Sequence, residues 1–120
     1  MFVKNIRDCA EFTASDGCQL RELLHSKNDP VDLDYSIASA RVLPGRHSYR
    51  HRLKQGEVYY ILDGEGVMHI DEEHRAVNNG DLVYIPPEAV QWIENTGDRD
   101  LVFLALVSPP WNAADDIPAG

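Results

Sequence analysis

Residues 45–64 read GRHSYRHRLKQGEVYYILDG and combine a strand pattern with a turn. The run from Glu57 to Leu62 is rich in β-branched, aromatic and aliphatic residues, which is typical of strands. It ends at Asp63-Gly64, a pair that tolerates the positive φ of a hairpin tip. The segment therefore predicts one arm of a β-hairpin, with the polar residues His51 and Glu57 ahead of its turn.

Similar short strands are predicted along the rest of the chain, each bounded by Gly, Pro, Asn or Asp. Besides Glu57 to Leu62, the candidates are Gln19 to Leu24, Tyr35 to Leu43, Val67 to Ile70, Ala76 to Val77, Leu82 to Ile85, Val90 to Glu94 and Leu101 to Val107. Only Val3 to Phe12 has a pattern compatible with a helical turn. Many short strands without a long helix predict an antiparallel sandwich or barrel, because closure protects strand edges from aggregation.

The segment 45–64 resembles the first motif of the cupin family. That motif reads Gly, five residues, His-x-His, three or four residues, Glu, six residues and Gly. The chain matches every spacing, but Leu53 stands where the family has its second histidine. The matching residues are Gly45, His51, Glu57 and Gly64.

Residues 80–95, GDLVYIPPEAVQWIEN, resemble the second cupin motif, which reads Gly, five residues, Pro-x-Gly, two residues, His, three residues and Asn. The spacing is kept, although Glu88 replaces the glycine and Gln91 replaces the histidine. The resemblance implies an all-β cupin jelly-roll β-barrel as a single domain, 1–120, with motif one at 45–64 and motif two at 80–95. Because this fold hosts many activities, the resemblance does not assign a reaction.

Strand alternation aims several candidate ligands at one interior point, since side chains two residues apart point the same way. In the cupin family, three histidines and a glutamate at the motif positions hold a divalent metal. The resemblance therefore implies that His51, Glu57 and Gln91 bind one ion, with Zn, Fe, Mn, Ni and Cu as candidates. His47 has the same parity as His51 and is a fourth candidate ligand. The predicted pocket lining consists of Tyr49, Leu53, Tyr59, Ile61 and Ile93.

A metal-free pocket is the alternative. An amide is a weak, uncharged ligand, and Leu53 makes the interior more apolar, which favours a small organic molecule with a hydrophobic part. In this interpretation the chain is a small-molecule-binding or sugar-isomerase-like cupin, in which His51 or Glu57 is an acid, a base or an anchor for a polar group. A third interpretation is a barrel packed shut by Leu53, Tyr59 and Ile61. The sequence leaves open which of these applies, and whether the chain is an enzyme.

The charge of the chain argues against two classes of partner. Twenty acidic and 11 basic residues give a net charge of -9, which repels nucleic-acid phosphates and anionic lipid headgroups. No apolar run approaches the ~20 residues needed to cross a bilayer. Charged residues near the N-terminus also argue against a signal peptide. We therefore expect a cytoplasmic protein that binds a small molecule and neither nucleic acid nor membrane.

The remaining expectations concern the chain end and the outer surface. Residues 112–120 are polar and predict a flexible tail. Trp111, just before them, is predicted to cover the barrel mouth or to contact a second subunit. The resemblance to small cupins implies a homodimer, whose contact is predicted to include the outward-facing Val58, Tyr60 and Leu62. Ordinary surface or loop roles are expected for His25, His69 and His74, and reduced structural thiols for Cys9 and Cys18.

Overall fold

The computed structural model describes residues 1–120 and consists of short strands with two three-residue 3₁₀ helices, Ile6–Asp8 and Ala113–Asp115. The strands are β1 (Phe12–Thr13), β2 (Gln19–Leu24), β3 (Ser36–Val42), β4 (His51–Leu53), β5 (Gly56–Asp63), β6 (Glu65–Ile70), β7 (Glu73–Asn78), β8 (Leu82–Ile85), β9 (Val90–Asn95), β10 (Leu101–Ser108) and β11 (Asp116–Pro118). No helix is long and apolar enough to cross a membrane. The predicted all-β architecture is confirmed, and its eight predicted strands correspond to β2, β3 and β5–β10.

The strands pair antiparallel in two sheets. The first sheet has the order β1-β2-β3-β10-β5-β8, and the second has the order β11-β4-β9-β6-β7. Strands that are distant in sequence are neighbours in space, as where β10 lies between β3 and β5. This connectivity is typical of a jelly roll, in which two sheets close around one interior.

Alternate residues of the strands fill that interior. On β5, β9 and β10 the buried side chains are two residues apart, because successive side chains of a strand point to opposite faces. Ile61, Ile93 and Leu101 are fully buried in the largest hydrophobic cluster, with Phe103 beside them. The same alternation turns the polar side chains of both motifs inward.

The two ends of the chain differ from the expectation. Within Val3 to Phe12, only Ile6–Asp8 forms a helical turn. The expected flexible tail, residues 112–120, instead contains a 3₁₀ helix and β11, which pairs with β4. Asp116 lies opposite Leu53 in this pairing. A polar composition predicts a free tail, but β4 offers an unpaired edge whose backbone groups the tail can satisfy.

Candidate functional site

A cavity of about 320 Å³ is lined by residues from strands of both sheets. Most of its lining is apolar, and its volume falls in the range of small-molecule sites. The barrel is therefore not packed shut. Four neighbouring ionisable side chains in the lining form what we call the polar cluster: Asp16, His51, Glu57 and Asp116.

His51 is the centre of the polar cluster. Its ring lies between two carboxylates, with Nδ1 at 2.8 Å from Oδ1 of Asp116 and Nε2 at 3.7 Å from Oδ2 of Asp16. Burial acts to lower the pKa of His51, but the Asp116 hydrogen bond and the charges of Asp16 and Glu57 outweigh it, so the pKa is raised. In Asp116, burial acts to raise the pKa, but the His51 hydrogen bond and charge outweigh it, so the pKa is lowered. The N–H of His51 Nδ1 therefore donates to Asp116, and Nε2 is left without a hydrogen-bond partner.

Glu57 is the second buried group with an unused polar atom. It lies on β5, is 7% exposed, and its Oε1 has no hydrogen-bond partner. Burial raises the pKa of this carboxyl to about 7, against the opposing effects of a Gln91 hydrogen bond and the His51 charge. A carboxyl that titrates near neutral pH can act as a proton donor or as a proton acceptor.

Gln91 is already engaged by a neighbouring side chain. It lies directly opposite His51 across the β4–β9 pairing, and only 1% of it is exposed. Its Oε1 accepts a hydrogen bond of 3.1 Å from the hydroxyl of Tyr59. Burial raises the pKa of Tyr59 well above its usual value, so the phenol stays a donor. The amide oxygen of Gln91 therefore already has a partner within the protein.

Comparison with known proteins identifies the family of the chain. The profile of the family described as "Cupin domain" matches residues 38–107, a span that contains both motifs. The chain belongs to the cupin family. The resemblance found in the two motifs is thereby confirmed, together with the jelly-roll fold.

The relatives of this cupin share its fold over different lengths. An uncharacterized protein, MJ1618, of Methanocaldococcus jannaschii is 38% identical over 105 residues, which are 87% of this chain and 83% of that protein. The oxalate-binding protein of Thermotoga maritima is 37% identical over 72 residues, which are 59% of this chain and 60% of that protein. A Cupin 2 conserved barrel domain protein of Salinispora arenicola superposes with a TM-score of 0.78 at 22% identity, covering 95% of this chain and 91% of that one.

His47 and Tyr49 lie outside the barrel interior, although parity predicted that they would lie beside His51. The buried residue in this segment is Ser48, whose hydroxyl accepts a 2.9 Å hydrogen bond from the backbone N–H of Ile93. The segment before β4 is irregular, so the alternation does not continue from 49 to 51. His47 is exposed and its ring stands edge-on to Trp92, and Tyr49 is 64% exposed. Neither residue reaches the polar cluster.

The other predicted pocket residues divide into two groups. Leu53 and Tyr59 line the cavity, as their parity with His51 and Glu57 predicts. Ile61 and Ile93 share the same inward faces but are fully buried in the hydrophobic core, away from the cavity lining. The cavity therefore reaches Glu57 and Tyr59 on the inward face of β5 but not Ile61.

The residues present do not fit the metal centre that the resemblance implies. Leu53 offers no donor, and the Gln91 oxygen accepts from Tyr59. His51 Nε2 and Glu57 Oε1 are unpartnered, but two donors are fewer than the three protein ligands of a catalytic zinc site. No group of three or more His, Cys, Asp or Glu side chains is arranged to hold a metal ion.

Sequence reasoning missed three residues of the site, Asp16, Asp116 and His25, and predicted Trp111 only as a lid or a subunit contact. Asp16 lies in the turn before β2, and Asp116 lies on β11, a strand that the sequence did not predict. Trp111 lines the cavity and its indole N–H donates to Asp116 Oδ2 at 3.1 Å. His25, expected to be an ordinary surface or loop residue, lines the cavity and its Nε2 donates to the carbonyl of Trp111 at 2.8 Å. Only Trp111 carried a signal, since an aromatic residue after the last predicted strand suggested a lid.

Proposed function

We propose that this cupin binds a small organic molecule without a metal ion. The apolar part of the ligand occupies the cavity, and its polar group hydrogen-bonds to His51 and Glu57. The observation that carries the proposal is the pair of buried, unpartnered atoms, His51 Nε2 and Glu57 Oε1, in residues that line the cavity. A buried polar atom without a partner costs about 1–3 kcal/mol, and a ligand that supplies the partner recovers that free energy.

The lining favours a ligand with a hydrophobic body. Leu53 replaces a family histidine, and together with Leu20, Ala40 and Phe103 it gives the cavity an apolar wall. Burial of apolar surface supplies most of the binding free energy in such sites, and a few polar groups fix the orientation. A ligand with one polar group on an aromatic or alicyclic frame matches both features.

The same site supports acid–base chemistry on that polar group. Glu57 has a pKa of about 7, and Asp116 orients the His51 ring through Nδ1, which leaves Nε2 without a hydrogen-bond partner. A carboxyl that titrates near neutral pH, beside an imidazole with a free ring nitrogen, is suited to an isomerase-like proton transfer. These acid–base groups fit the reaction of the sugar-isomerase-like alternative. The apolar wall of the cavity, however, is not suited to a sugar.

The test uses chelator-treated protein and the neutral probe 3-phenyl-1-propanol. Trp111 lines the cavity whereas Trp92 lies on the outer face stacked on His69, so the Trp92→Phe variant leaves one tryptophan that reports on the cavity. We expect a saturable change of Trp111 fluorescence, weakened roughly tenfold by His51→Ala, in line with one lost hydrogen bond. The matched control is His74→Ala, an exposed histidine outside the cavity, which should leave the affinity unchanged.

Two results would contradict the proposal. One is the absence of any saturable Trp111 signal with the probe. The other is a stoichiometric metal ion, found by inductively coupled plasma mass spectrometry in untreated protein, whose removal abolishes probe binding.

A further inference from the structure

The charge balance of the cavity is one-sided. Its lining contains four carboxylates, Asp16, Glu22, Glu57 and Asp116, and no lysine or arginine. His51 donates through Nδ1 to Asp116 at 2.8 Å, so a proton gained by its ring is paired with that carboxylate and does not offset the other three. The cavity wall is therefore electronegative.

The second histidine of the lining does not change this balance. His25 Nδ1 accepts a hydrogen bond from the backbone N–H of Lys27 at 3.0 Å, and Nε2 lies 2.8 Å from the carbonyl oxygen of Trp111. One ring nitrogen accepts and the other donates, which is the pattern of a neutral imidazole. Both of its polar atoms are satisfied, so His25 offers neither a charge nor a free donor to an anionic ligand.

The unpartnered atoms of the polar cluster match a group that donates hydrogen bonds. When the N–H of His51 Nδ1 donates to Asp116, Nε2 of the neutral ring is an acceptor, and Glu57 Oε1 is an acceptor as well. Asp16 Oδ2, 3.7 Å from the same Nε2, is a third acceptor beside them. A primary ammonium has three N–H donors and a positive charge, and it therefore complements both the hydrogen-bonding pattern and the electrostatics.

We infer that the ligand of this cavity is a primary amine on an apolar frame. The inference rests on the proposed function and assigns the charge class of the ligand. It separates this cupin from the oxalate-binding relative, because a dicarboxylate would face an electronegative wall without a cationic side chain to neutralise it. The net charge of -9 also favours the approach of cations over anions.

The test compares three probes of nearly equal size: 3-phenylpropylamine, 3-phenyl-1-propanol and 3-phenylpropionate. Titrations of chelator-treated Trp92→Phe protein at pH 7.5, followed by Trp111 fluorescence and by calorimetry, give the three affinities. We expect the amine to bind at least about tenfold tighter than the alcohol, and the propionate to bind more weakly than both. In Glu57→Gln and in Asp16→Asn, the preference for the amine over the alcohol should shrink several-fold.

The control is Glu72→Gln, which neutralises an exposed carboxylate in the turn between β6 and β7 and should keep the full preference. Alcohol binding together with equal or weaker amine binding overturns the inference and leaves the proposed function standing. Tighter binding of the propionate overturns it in the same way. If none of the three probes binds, the proposed function falls, and the inference falls with it.

Discussion

Glu57 illustrates how function and stability conflict at a single residue. Burial raises its pKa from 4.5 to about 7, so the folded state holds the proton more tightly than the unfolded state does. The contribution of Glu57 to the stability is therefore greatest below pH 4.5 and falls as the pH rises from 4.5 towards 7. A buried carboxyl that lowers stability at neutral pH agrees with the proposed role of Glu57 in binding.

The Glu57→Gln variant should remove this dependence on pH. At about 1.4 kcal/mol per pKa unit, a rise from 4.5 to about 7 corresponds to about 3 kcal/mol between the two ends of that range. We expect the free energy of unfolding of the variant, relative to the wild type, to increase by up to ~3 kcal/mol from pH 4.5 to pH 7.5. Urea denaturation at several pH values measures this difference, with Glu72→Gln as the matched exposed control. A difference that does not change with pH would mean that Glu57 has an ordinary pKa.

At the scale of elements, the sequence was sufficient for strands that are bounded by turn residues. β2, β5, β8, β9 and β10 all combine β-forming residues with flanking turns, and their predicted bounds agree with the structure within one residue at each end. The inward positions of Glu57 and Tyr59 follow from the alternation of side chains along β5.

The prediction failed where strand pairing is decided by tertiary contact. β11 is a three-residue strand that pairs with the open edge of β4. The irregular chain before β4 broke the parity that would have brought His47 inward.

The β11 strand is therefore expected to matter for the site more than for the fold. None of residues 112–120 is buried, so removal of residues 116–120 should leave the core intact. It should lower the pKa of His51, because the hydrogen bond and charge of Asp116 are lost. Titration of the His51 ring by NMR measures the shift, and a truncation that removes only Ala119 and Gly120 is the control. An unchanged His51 pKa in a folded protein would contradict the assigned role of Asp116.

At the scale of the whole molecule, one outer face is unusually apolar. On the outside of β5, β8 and β10, Tyr60 lies opposite Leu82 and Leu104, and Val58 lies opposite Tyr84. Leu82 and Tyr84 are 71% and 64% exposed on the edge strand of the first sheet. A patch of this kind next to an open strand edge favours self-association, in spite of the high negative charge of the chain.

We expect this face to form a homodimer. Light scattering coupled to size-exclusion chromatography should give twice the monomer mass, and Tyr84→Glu should return the protein to a monomer. The matched control is Tyr49→Glu, since Tyr49 is equally exposed but lies outside this face. A monomeric wild type at high micromolar concentration would refute the expectation, and the cavity proposal would be unaffected.

The most direct test of the account is a crystal structure of chelator-treated protein soaked with 3-phenyl-1-propanol, with anomalous data collected for metals. We predict the phenyl ring against the apolar wall that includes Leu53 and Phe103, and the hydroxyl within ~2.7–3.2 Å of His51 Nε2 and Glu57 Oε1. The contradicting result is an anomalous peak within ~2.0–2.6 Å of those two atoms, or a probe bound elsewhere while both atoms stay unpartnered.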